Sequence, residues 1–154
     1  MINRPRLFLG SSPSTASFKM IKEITVSTSK KQELVDVTEK INEIVSESKV
    51  KNGICLIYVP HATAGLTINE NADPNVKDDI VSALNKIVKE HDGWKHDKVD
   101  NNAAAHIKSS IVGCSLAVPI KDGSLTLGTW QDIFLCDFDG PRNRTVIISI
   151  LKGD

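Results

Sequence analysis

The chain switches between two hydrophobic periods, and the switches mark its elements. "MIKEITVST", residues 20–28, alternates apolar with polar positions and predicts a half-buried strand. Leu34, Val37, Ile41, Ile44 and Val45 then recur at helical spacing, which predicts a helix over residues 31–47. Lys51-Asn52-Gly53 reads as a turn, and "ICLIYVP" as a buried strand ended by Pro60. Farther on, Asp73 is placed to cap a helix and Pro74 to be its first residue. That helix carries Val76, Ile80, Val81, Leu84, Ile87 and Val88 on one face. "HDGWKHDKVDNN" predicts an irregular loop, and "AAAHIKSSIVG" a short helix closed by Gly113. The remainder is strand-rich: "CSLAVPIKDG", "SLTLGTWQDIFLCDF", a turn at "DGPRNR", then "TVIISIL". Asp122-Gly123 between alternating runs is a hairpin signal. Strands early and late with helices between them make the class α+β.

One stretch follows neither period. "VPHATAGLTINENADPN", residues 59–75, leaves a buried strand and at once gathers many hydrogen-bonding side chains. It reads as a site-forming loop between that strand and the capped helix.

Composition narrows the function. With 154 residues, 40% of them hydrophobic, the chain is one domain with a real core. Its 19 basic and 19 acidic residues balance, leaving no electrostatic footprint for nucleic acid or an anionic membrane. No apolar run is long enough to span a bilayer. Cys55, Cys114 and Cys136 are odd in number, far apart and flanked by apolar residues, so they read as core residues in a reducing compartment, by default the cytoplasm. Residues 1–19 stand apart: "LFL" is too short for a signal peptide and "GSSPSTAS" reads as linker. They are expected to be a disordered or adjunct arm before a domain spanning 20–154.

Polar chemistry concentrates on a few side chains. His61 lies at a strand end, His96 in a polar loop and His106 among alanines on a short helix. No pair has the spacing of a metal motif. His91, at a helix C-terminus, suits the helix dipole. Glu70 precedes the helix cap and is either a solvated loop residue or an acid/base group. Arg142 in "DGPRNR" is a free surface charge or an anion clamp, and Asp139 satisfies turn backbone. Trp130 and Gln131 fall in a strand, where a buried tryptophan needs a partner for its N–H. Thr63 and Thr67 serve loop backbone or a ligand equally well.

Three stretches, "HATAGLTINENADPNV", "DNNAAAHIKSSIVG" with His96 before it, and "GSLTLGTWQDIFLCDFDGPR", resemble the signature blocks of the YjbQ family, also called the secondary thiamine-phosphate synthase family. The resemblance runs from Met20 to Lys152. It implies a sandwich-like domain with a mixed, mostly antiparallel sheet and helices packed on one side, assembled as a homotrimer with polar sites near subunit boundaries. His61, His96 and His106 match the family's histidines, which look like a three-nitrogen metal site. Asn69, Glu70, Trp130, Gln131 and Arg142 also fall on motif positions. Many relatives carry an acidic or histidine side chain where Ala104 stands, and commonly glutamate where Asp137 stands.

Three imidazoles with an open position suit zinc or another divalent metal. The resemblance therefore implies an enzyme for a phosphorylated or pyrophosphorylated small molecule, with thiamine-phosphate synthase as its secondary activity. In that scheme Glu70, Gln131 and Arg142 are catalytic, Arg142 gripping phosphate, and Thr63, Asn69 and Trp130 join Arg142 in holding substrate. The alternative is a non-catalytic metal- or anion-binding trimer.

Overall fold

In the computed structural model, which describes residues 17–153, the order is β1 (Ser17–Ser27), β2 (Glu33–Asp36), α1 (Thr38–Ser48), β3 (Gly53–Tyr58) and β4 (Ala64–Glu70). Then come α2 (Pro74–Ile87), a 3-10 turn (Lys95–Lys98), α3 (Ala103–Val112), β5 (Ser115–Lys121), β6 (Ser124–Leu125), β7 (Gln131–Asp137) and β8 (Asn143–Lys152). The class is α+β, as the pattern predicts. The strands form a five-stranded sheet, β1-β8-β3-β5-β6, and a three-stranded sheet, β2-β7-β4. Every strand pair among the described residues is antiparallel, so the sheets are not mixed.

Period-2 alternation explains the layering. Cys55 and Ile57 of β3, Val118 and Ile120 of β5, and Val146, Ile148 and Ile150 of β8 all face inward from the large sheet. They pack on Ile41, Ile44 and Val45 of α1 and on Leu66, Ile133 and Leu135 of the small sheet. The other face of the small sheet sends Leu34, Phe134 and Cys136 against Leu84 of α2 and Ala105 of α3. Strand β7 reads as the unbroken apolar run "IFLC" because both its faces are covered. All helices thus lie on one side of the large sheet. Among the described residues nothing covers the opposite face, where Phe18, Ile21, Ile54, Leu56 and Tyr58 are exposed.

Four expectations are corrected. The helix predicted from residue 31 begins at Thr38, because Glu33–Asp36 is strand β2: Leu34 points into the outer core while Val35 packs on the inner one. Helical spacing and strand alternation coincide over so short a run. The loop 59–75 contains strand β4, in which Ala64, Leu66 and Ile68 all pack on the inner core. Polar Thr67 and Asn69 hide this alternation in the sequence. The single long strand "SLTLGTWQDIFLCDF" is two, β6 and β7, parted at residues 126–130. Finally, β1 starts at Ser17, pairing with Lys152, so Ser17–Lys19 belong to the sheet; the rest of the predicted arm, residues 1–16, lies outside the described residues.

The caps hold. Asp73 accepts the N–H of Asn75 at 2.9 Å with Pro74 first in α2, and Gly113 closes α3 by donating to the Ser109 carbonyl at 2.8 Å. Asp122 (φ 52°) and Gly123 (φ 84°) turn β5 into β6 in the left-handed region that a tight hairpin requires.

Candidate functional site

The register of β3 on β8 would set Pro60 against Thr145, but β3 ends at Tyr58 and the chain turns away. His61 fills the vacated edge: its Nε2 accepts the Thr145 backbone N–H at 2.8 Å. A backbone N–H can only donate, so Nε2 bears the lone pair and the proton of neutral His61 sits on Nδ1. Burial holds the His61 pKa below the ordinary imidazole value, the nearby Arg144 charge adds to this, and Asp137 opposes it.

Behind His61 is a buried polar network. Arg144 Nη2 donates to Asp137 Oδ1 at 2.5 Å and to Thr63 Oγ1 at 2.9 Å. Asp137 also accepts from Thr28 Oγ1 at 2.7 Å and from the Asp139 N–H at 3.0 Å. Burial alone would raise the Asp137 pKa, but these donors, Arg144 foremost, bring it below the usual carboxylate value. Thr63, one of the expected substrate contacts, accepts from Arg144 and so anchors it. Arg144 is the residue the sequence reading missed. The signal was Asp137 itself: an acid in the apolar run of β7 needs a buried cation.

His61 and His106 line one recess of about 550 Å³, together with Tyr58, Ser110 and Cys114. Ser109 Oγ donates to the Ala62 carbonyl and ties α3 to the turn that carries His61. His96, on the 3-10 turn, packs its ring edge-on to His106, with centroids 4.9 Å apart and planes at 89°. Asp97 beside it accepts the Ala103 N–H at 2.9 Å and so starts α3. Cys114 is exposed at this recess, whereas Cys55 and Cys136 are core residues whose thiols burial pushes up to about 12.

Three imidazoles serve as metal ligands only if each turns a free lone pair to one point about 2.0–2.1 Å away. Here the Nε2 lone pair of His61 is engaged by Thr145, and His96 and His106 meet edge to face. Among the described residues no three His, Cys, Asp or Glu side chains are grouped to hold an ion. In the single chain the three histidines are neighbours but do not form a ligand set.

The other predicted residues lie elsewhere. Asn69 and Glu70 end β4 and pair with Asp132 and Gln131 of β7. Along β4 that end is about 20 Å from the His61 end, at about 3.3 Å per residue. Glu70 is therefore not within reach of His61 in one subunit. Gln131 Oε1 accepts the Gly128 N–H at 2.8 Å, and Trp130 is 65% exposed rather than buried. Arg142 folds onto its own turn, donating to the Asp139 carbonyl at 2.7 Å and to Asp139 Oδ2 at 2.9 Å. Ala104 is buried within α3.

Residues 22–153 match the family described as UPF0047 protein YjbQ-like. The chain belongs to that family. It is 52% identical over 136 residues to UPF0047 protein MJ1081 of Methanocaldococcus jannaschii, covering 88% of this chain and 96% of that one. Against UPF0047 protein YugU of Bacillus subtilis the identity is 44%, covering 86% and 99%. A crystal structure of a YbjQ-like protein of unknown function from Sulfolobus solfataricus P2 superposes with a TM-score of 0.84 at 39% identity, covering 87% of this chain and 97% of that one. Family membership thus accounts for the three sequence blocks, which the fold distributes over both ends of the small sheet. No helix among the described residues is long and apolar enough to cross a membrane.

Proposed function

We propose that this YjbQ-family protein is an enzyme acting on a phosphorylated or pyrophosphorylated small molecule at the recess between His61 and His106. The observation that carries the reading is the pair of imidazoles facing one cavity of about 550 Å³, one of them fixed by the Thr145 backbone N–H. Neutral His61 offers an Nδ1–H donor, and His106, its ring packed edge-on by His96, sets a second imidazole at the same recess. Two imidazoles at one recess can give a proton to a leaving phosphate or take one from an attacking group. Thiamine-phosphate formation is the first activity to test, because the family resemblance implies it. A homotrimer closing over the bare face of the large sheet is part of the same proposal, as is a reducing, cytoplasmic setting for the free thiols.

The test is turnover of thiazole phosphate and hydroxymethylpyrimidine pyrophosphate by the purified protein, with its metal content measured in parallel. His106→Ala is expected to abolish turnover, and Lys40→Ala, an exposed change on α1 away from the recess, to leave it largely intact. No turnover by the wild-type protein on these or a panel of phosphate esters, with a stoichiometric metal or anion bound, favours the non-catalytic binder.

A further inference from the structure

The turn 61–63 that carries His61 is held at each of its residues. Thr145 of β8 gives its N–H to His61 Nε2 at 2.8 Å. Ser109 of α3 gives its hydroxyl to the Ala62 carbonyl. Thr63 accepts twice: its carbonyl takes the Phe138 N–H at 3.1 Å, and its Oγ1 takes Arg144 Nη2 at 2.9 Å. In these bonds the turn only accepts, and the elements around it donate. The Thr145 and Phe138 donors are backbone groups that almost any residue would supply. Ser109 and Arg144 are the side-chain donors, so the hold on Thr63 Oγ1 depends on which residue stands at position 144.

Arg144 is 4% exposed and paired with the fully buried Asp137. Exchanging such a pair for apolar side chains of similar volume is often neutral or stabilising, so stability alone does not account for it. Its Nε is buried with no acceptor among the described residues, while Nη2 bonds both Asp137 and Thr63. A pair serving stability would engage Nε as well. What this pair supplies is direction. Asp137 is anchored independently, by Thr28 Oγ1 at 2.7 Å and the Asp139 N–H at 3.0 Å, and so aims Nη2 at Thr63. Arg144 and Thr145 are consecutive in β8: the side chain of one grips Thr63 while the backbone of the next grips His61. Arg144 is not among the residues lining the recess and acts from behind it.

We propose that Arg144 is the positioning residue of the histidine recess: by holding Thr63 against β8 it keeps the Thr145 N–H on His61 Nε2, and so presents His61 to the recess with its proton on Nδ1. A neutral ring released from Thr145 can carry its proton on either nitrogen, and nothing then sets its orientation. The proposal rests on the enzymatic reading only for what the recess does; the tautomer it assigns is a property of the protein without substrate.

The experiment reads the His61 ring nitrogens by nitrogen NMR in the full chain, at a pH where imidazoles are neutral, with His61→Ala to assign the signals. The wild type is expected to give two well-separated signals, a protonated Nδ1 and a bare Nε2. Thr63→Val removes the acceptor of Arg144 and leaves the pair with Asp137 whole; the two signals are expected to shift toward each other, as in a solvated imidazole. Thr63→Ser keeps the hydroxyl and is expected to keep the wild-type signals. Arg144→Met combined with Asp137→Leu removes both charges, so no partner is stranded, and is expected to reproduce the shift of Thr63→Val in a folded protein. Averaged signals in the wild type, wild-type signals in both Thr63→Val and the double variant, or a Thr63→Ser that behaves as Thr63→Val would each overturn the proposal. A wild type without turnover counts against the enzymatic reading and leaves this test intact, because the nitrogens are read without substrate.

Discussion

His61 does the work of a strand: its Nε2 takes the Thr145 N–H, 2.8 Å away, where β3 leaves the sheet. A backbone donor in a sheet interior that loses its acceptor costs about 1–3 kcal/mol. His61→Ala is therefore expected to lower unfolding free energy by that amount in urea, with the slope of the transition unchanged. A loss within measurement error would show that the imidazole has no such anchoring part.

Asp137 and Arg144 form a pair with side chains 0% and 5% exposed. Removing one partner of such a pair strands the other charge, at a cost of about 3–5 kcal/mol. Asp137→Asn is expected to cost that much. The folded-state pKa of Asp137 lies below its unfolded value. Its stabilisation is accordingly complete above the ordinary carboxylate pKa and is lost as pH falls through the depressed one. Denaturation curves of wild type from neutral to acid pH should show this acid-side loss, and the Asn variant should show less of it. Identical slopes in the two proteins would contradict the assignment.

Gly65 marks the place where β4 and the end of α3 touch. A Cβ there would lie 2.6 Å from the Gly113 carbonyl oxygen, closer than real side chains come to backbone. The contact is also held by the Leu66 N–H on that carbonyl at 2.9 Å. Gly65→Ala is expected to cost about 1–3 kcal/mol through forced separation of helix and strand. Gly93, with open space around its Cβ position, serves as the control glycine for the size of the added methyl, subject to its own backbone strain at φ 78°.

These relationships show what was readable in the sequence. The capped helix at Asp73-Pro74, the Asp122-Gly123 hairpin and the Gly113 stop are local chemistry, and local chemistry is written in adjacent residues. Strand β2 was hidden because Leu34 and Val37 fit a helix as well as they fit two different cores. Strand β4 was hidden because its outward positions are polar and its partner β7 is more than sixty residues away in the chain. The motif residues were legible as types but not as neighbours: His61, His96 and His106 gather at one end of the small sheet, while Glu70 and Gln131 sit at the other. Arg144 was overlooked because Asp137, inside the strand-rich run "SLTLGTWQDIFLCDF", was assigned no partner.

Arg142 illustrates the same limit at the surface. Its side chain is 55% exposed, and the guanidinium is bound to Asp139 three residues earlier. Exposed pairs of this kind contribute about 0–1 kcal/mol. Arg142→Ala is expected to change stability by less than about 1 kcal/mol, because the backbone N–H of residue 142, which donates to Thr28 Oγ1 at 2.8 Å, is retained. A larger loss in thermal denaturation would mean that the side chain supports the turn rather than resting on it.

The bare face of the large sheet makes the strongest demand on a partner. Ile54, Leu56 and Tyr58 alternate on β3 with the buried Cys55 and Ile57, so their outward position is fixed by the strand and not by rotamer choice. Across the sheet, Leu56 stands beside Ser149 and Ala117, and Tyr58 beside Ile147 and Ser115, which leaves a surface with few charges. Contiguous apolar surface of this kind is characteristic of subunit interfaces. Leu56→Arg puts a charge at the centre of the face without disturbing the inner core, since its neighbours in the strand carry the packing. Light scattering on the purified wild-type chain is expected to give a mass close to three times that of the monomer, and the Leu56→Arg variant is expected to run as a folded monomer with its circular dichroism unchanged. A monomeric wild type, or a variant whose mass does not fall, would place the trimer interface elsewhere or remove it.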